Sequence, residues 1–79
     1  MATVQLNAQD FEKTIIDNNL VFVDFWATWC GPCRAFGPTF EAASEANPDI
    51  VFGKVDIDAN QDLASAAGIQ AVPTLMIAK

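Results

Sequence analysis

The chain has 79 residues, 52% apolar and 18% charged, with ten acidic against four basic side chains and a net charge of −6. That composition is too apolar and too weakly charged for a disordered chain, and the length suits one domain spanning residues 1–79 rather than two. The acidic balance excludes nucleic acid and anionic membrane surfaces as partners, because phosphates would be repelled rather than neutralised. No apolar run approaches the ~18 residues of a membrane span, and the first five residues lack the basic and apolar regions of a secretory leader, so a cytoplasmic location is expected. Domains this small bury little core, and the two cysteines, three positions apart, close too short a loop to staple distant elements. Compactness must come from packing, or from another chain.

In chain order, residues 3–6 read as a short extended segment, with Val4 and Leu6 alternating against polar neighbours. Asn7 is placed as a helix N-cap with Asp10 three residues on, and Phe11 and Ile15, four apart, form the buried stripe of that helix. Asn18 and Asn19 are expected to end it in a left-handed conformation. Residues 20–26 form a near-continuous apolar run rich in β-branched and aromatic side chains, the pattern of a strand buried on both faces. A tight segment over 27–33 leads into a helix reaching about Ala46, with Phe36, Phe40 and Ala43 on one face and a kink expected at Pro38. Residues 50–57 read as a second buried-type strand. Residues 58–67 read as a short helix closed by Gly68. A loop over 69–73 then leads into an apolar strand, Thr74–Ala78. The order β-α-β-α-β-α-β implies an α/β layered fold, a mostly parallel sheet flanked by helices with right-handed crossovers.

The chemistry concentrates at Cys30-Gly31-Pro32-Cys33, between a buried strand and a helix. Two cysteines at this spacing can close and open a disulfide without distorting the backbone. The first falls at a helix N-terminus, where unpaired N–H groups and the macrodipole favour a thiolate, and a thiolate is the nucleophile of thiol–disulfide exchange. Cys30 is therefore the expected attacking nucleophile and Cys33 the resolving thiol. A structural disulfide would contribute little from so small a loop. A zinc site needs four ligands, which one such motif and no histidine could supply only by pooling two chains. Two unrelated buried thiols fit the strand–motif–helix context least, because this motif beside a βαβ pattern is a recognised redox signal.

Asp24 interrupts the apolar central strand. It reads either as a strand-end charge in solvent or as a buried carboxyl whose pKa is raised. In the second case it is poised to carry the proton of Cys33 through a water. Lys54 is its charge partner if the two strands are adjacent, and otherwise a solvated side chain at a pleat. Trp29 reads as a partly exposed contact surface beside the reactive turn, whereas Phe25 and Trp26 read as packing. Pro73 is either an ordinary loop proline or, with a cis Val72–Pro73 bond, one that frees the Val72 backbone to pair with an extended peptide.

Val23-Asp24-Phe25-Trp26-Ala27, Trp29-Cys30-Gly31-Pro32-Cys33, Pro38, Lys54-Val55-Asp56 and Val72-Pro73-Thr74 together resemble the thioredoxin family in order and spacing, over the whole chain. The Trp-Cys-Gly-Pro-Cys motif is similar to that of the reducing members. The resemblance implies a thioredoxin-like fold and protein-disulfide reduction, with Cys30 attacking, Cys33 resolving, and Asp24 and Lys54 assisting proton transfer. It also implies a substrate groove formed by Trp29, Gly31, Pro32, Val72 and a cis Pro73. Recycling would be by an NADPH-dependent thioredoxin reductase, with no cofactor or metal held by the domain itself. Members resembling this chain continue past Thr74–Ala78 into one more strand and a final helix, about 25 residues. Without them Thr74–Ala78 is expected to be an uncharged, apolar edge on a sheet face exposing Phe, Val and Leu side chains. Association through that edge into a homodimer is the favoured outcome. Weak activity of a partly folded chain and completion by a partner are the other two. A non-catalytic binding or assembly module is the rival reading to the enzyme.

Overall fold

The computed structural model describes residues 2–79; Met1, part of the segment without a leader's pattern, lies outside them. Seven elements follow one another: β1 (Thr3–Gln5), α1 (Phe11–Asp17), β2 (Val21–Trp26), α2 (Gly31–Ala46), β3 (Val51–Asp56), α3 (Gln61–Ala66) and β4 (Thr74–Ala78). The four strands form one sheet in the order β1-β3-β2-β4. β3 runs parallel to both β1 and β2, and β4 runs antiparallel to β2 at the edge. This is the layered α/β architecture expected from the element order, with a mixed sheet.

The pleat divides the sheet's side chains into two sets. Val21, Val23 and Phe25 of β2 and Val55 of β3 share one face and are all fully buried. Phe11 and Ile15 of α1, Leu63 of α3 and Met76 of β4 pack against them. The opposite face carries Phe22, Asp24 and Trp26 of β2 with Phe52 and Lys54 of β3. There the edge-to-face aromatic row Phe22–Phe52–Phe40, at 5.2 Å between successive centroids, ties the sheet to α2. β2 is thus buried on both sides, as its unbroken apolar run requires. Gly53 completes the first face: a Cβ there would meet Leu6 Cδ1, so the leucine that closes over the strand would have to shift.

The helix ends show local chemistry at work. Asn7 Oδ1 accepts from the N–H groups of Gln9 and Asp10, and Asp10 Oδ1 accepts from the Asn7 N–H. This reciprocal pair closes a turn immediately ahead of α1, whose N-cap is Asp10 rather than the expected Asn7. The left-handed ending expected at Asn18 and Asn19 does not occur. Asn18 is extended (φ −129°, ψ 144°), and its side-chain Nδ2 donates to the Thr14 carbonyl at 2.8 Å, replacing the missing backbone donor. α3 begins later than expected because Asp56 Oδ1 captures the N–H groups of Asp58 and Ala59 in a turn. Its end is as read. Gly68 (φ +73°) donates to Ser65 and Ile69 donates to Ala64, the two bonds of a Schellman cap. α2 continues through Pro38, which lacks the N–H that would bond the Arg34 carbonyl in the i→i−4 ladder.

Candidate functional site

β2 ends at Trp26 and the chain turns over residues 27–30 into α2, so whatever sits at residue 30 is the N-cap of a 16-residue helix. Cys30 occupies it, and its Sγ accepts from the Cys33 N–H at 3.1 Å. A helix N-terminus presents unpaired N–H groups and the positive end of the macrodipole, the environment that lowers a thiol's pKa. Gly31 and Pro32 form the exposed first turn, with proline tolerated because no intrahelical bond needs its nitrogen. Cys30 and Cys33 are joined as a disulfide with their Cα atoms 5.2 Å apart. Both are nearly buried, at 4% and 5% exposure, and pack with the buried Ala27.

The sequence-derived groove residues gather around this pair. The Val72 carbonyl oxygen lies 3.7 Å from Cys30 Sγ, and the Val72–Pro73 bond is cis. Trp29 is 63% exposed, yet its indole N–H donates to Asp58 Oδ2 at 2.8 Å. Asp58 was not singled out by the sequence, where it reads only as the start of a helix. The signal available was the Asp56-x-Asp58 spacing, which lets Asp56 hold the turn that presents Asp58. Arg34 also went unremarked. Its Nη1 donates to the Thr28 carbonyl at 3.0 Å, fastening the first turn of α2 to the loop before it.

Asp24 and Lys54 are direct cross-strand partners, so the condition on which their pairing was expected holds. The pairing itself takes another form. Asp24 is 1% exposed and neither carboxylate oxygen has a hydrogen-bond partner among the described residues, so it is not a strand-end charge in solvent. Burial pushes its pKa up from the ordinary carboxylate value, and the nearby Lys54 charge opposes this more weakly. The Lys54 ammonium sits 5.1 Å from the centroid of the Trp26 ring, a cation–π position, rather than on the carboxylate. Trp26 is therefore a packing residue, as read, that also holds the lysine. Its own indole N–H is buried without an acceptor. A cavity of about 390 Å³ reaches from Trp26 and Lys54 to Cys33.

The comparisons with known proteins agree with this geometry. The family described as Thioredoxin matches residues 2–79. The chain is 56% identical over 78 residues to a putative thioredoxin 2 of Streptomyces coelicolor, covering 99% of this chain and 58% of that protein. It is 45% identical over 82 residues to a thioredoxin of Coprinus comatus, covering all of this chain and 76% of the other. Among solved structures, the oxidised mitochondrial thioredoxin 3 of Saccharomyces cerevisiae superposes with a TM-score of 0.91 at 36% identity, over 98% of this chain and 74% of that one. Plasmodium falciparum thioredoxin gives 0.91 at 35% identity, over 98% and 76%. The chain belongs to the thioredoxin family.

Proposed function

We propose that this domain is a thiol–disulfide oxidoreductase that reduces disulfide bonds in protein substrates. The observation that carries the reading is the Cys30–Cys33 disulfide at the N-terminus of α2, with the Cys33 N–H on Cys30 Sγ. In the reduced domain the Cys30 thiolate attacks one sulfur of a substrate disulfide, forming a mixed disulfide and releasing a substrate thiolate. The Cys33 thiolate then attacks Cys30 Sγ, releasing the second substrate thiolate and leaving the Cys30–Cys33 disulfide. Two electrons pass from the dithiol to the substrate.

Asp24 takes the proton of Cys33 through a water, a role its raised pKa suits. Lys54 supplies the charge that keeps the ionised carboxylate accessible. Trp29, Gly31, Pro32, Val72 and Pro73 form the groove for the substrate chain. Recycling falls to an NADPH-dependent thioredoxin reductase, which places the domain in electron transport and redox homeostasis in the cytoplasm, as a single domain over 1–79.

Insulin disulfide reduction with dithiothreitol as reductant, beside Cys30→Ser, tests the reading. Turnover that the serine variant loses sustains it. Rates equal to the serine control overturn it.

A second reading, self-association into a homodimer or a binding module, is favoured by β4. It is an edge strand whose Leu75 and Ile77 are 46% and 56% exposed on the face covered by α2. The exposed apolar side chains there are leucine and isoleucine rather than the Phe and Val expected with Leu. Sedimentation of the parent beside Ile77→Lys tests it: a concentration-dependent dimer lost in the variant supports association, and a monomer at every concentration removes it.

A further inference from the structure

The two sulfurs face different surroundings. Cys30 lies against the Val72 carbonyl, whereas Cys33 lines the cavity on the α2 side of the sheet. Its other walls are Trp26, Ala27, Thr28, Arg34 and Lys54. At about 390 Å³ it falls within the ~300–1,000 Å³ of small-molecule pockets, which are mostly apolar with a few placed polar groups.

Its charge is the reverse of the molecule's. The chain carries −6 overall, yet two of its four basic side chains line this cavity and no carboxylate side chain does. Arg34 spends one nitrogen on the Thr28 carbonyl and keeps other donors of its planar fork. Lys54 rests on an aromatic ring rather than an acid. Lys13, by contrast, is paired with Asp17 at 2.9 Å. Of the carboxylates nearby, Asp24 is sealed beneath the surface with burial favouring its neutral form. Asp56, the cross-strand partner of Trp26, commits Oδ1 to the 58–59 turn. Gly37 leaves the remaining wall open: a Cβ added there meets nothing within 4 Å.

We propose that this cavity is a binding site for a small oxyanion, phosphate or dicarboxylate, held by Arg34 and Lys54 beside Cys33. The site is separate from the protein groove around Cys30. An anion bound there adds negative charge next to the resolving sulfur.

The test is an amide and indole NMR titration of the oxidised chain with inorganic phosphate and, separately, malonate, with sodium chloride holding ionic strength constant. Saturable shifts at residues 26–28, 33–37 and Lys54 with either anion sustain the site, and which anion binds tells the source. Arg34→Gln is expected to weaken binding about tenfold, the size of one charge-assisted hydrogen bond, and Arg34→Lys to restore part of it. Gly37→Met fills the cavity while keeping both cations and is expected to abolish binding, so the test stands even if Arg34→Gln fails to fold. Shifts that never saturate, that sodium chloride reproduces, or that persist unchanged in Gly37→Met overturn the proposal. Binding is read without turnover, so it fails or holds independently of the reductase reading.

Discussion

The two faces of the sheet are built from the same strands and do opposite things. One face, under α1 and α3, is an apolar layer sealed at its centre, where Val21, Val23, Phe25 and Val55 are fully buried, though Val4 at its β1 edge is exposed. The other, under α2, holds an unpaired buried carboxyl, a lysine on an indole ring, a cavity reaching the disulfide, and exposed Leu75 and Ile77. Alternation of side chains along β2 is all that separates Phe25 from Asp24. The first face supplies stability, and the second accepts a local cost that a sealed layer would not allow.

Truncation breaks the comparison most sharply. Phe25→Ala, on the sealed face, is expected to cost about 3–5 kcal/mol, a large share of what a small domain has. Ile77→Ala, half exposed on the other, should cost well under about 1 kcal/mol. Urea denaturation of both variants measures the difference.

Asp24→Asn is expected to move stability and activity in opposite directions. Its folded pKa is raised above the unfolded value, so the site costs nothing below about pH 3.9, and stability is lost as pH rises through the folded pKa. The variant should therefore be more stable than the parent at pH 8 and converge on it in acid. On the proposed role of Asp24, insulin turnover at pH 7 should fall at least about tenfold. Equal pH–stability profiles would show that Asp24 ionises unhindered.

A smaller effect is expected at Asp58. Asp58→Ala releases the Trp29 indole N–H and should raise KM for a disulfide peptide about three- to tenfold, with kcat and the denaturation midpoint little changed. Smallest of all, Ile77→Lys should shift stability by less than about 0.5 kcal/mol while altering only self-association.

Much of this was legible in the sequence, for physical reasons. The unbroken run into Trp26 required a doubly covered strand, and Gly68 required a left-handed cap. The Cys30–Cys33 spacing after a buried strand put a thiol at a helix start. What escaped depends on side chains competing for backbone groups. Asn18 ends α1 with its amide rather than its backbone conformation, and Asp56 takes the N–H groups that would have begun α3 at residue 58. Composition marked β4 as apolar but could not say that Leu75 and Ile77 alternate outward. Nor could charge alone foresee Lys54 on Trp26, because the Asp24 carboxyl lies too deep for the ammonium to follow without losing its water.

The most direct test of the division between the two sulfurs is trapping. Reduced Cys33→Ser and reduced Cys30→Ser are each mixed with one disulfide-bonded peptide, and the adducts are followed by intact mass. A stable mixed disulfide accumulating on Cys30 in Cys33→Ser, with none on Cys33 in Cys30→Ser over the same time, is the expected result. Equal trapping by both variants would contradict it, and with it the assignment of Cys30 as the attacking thiol.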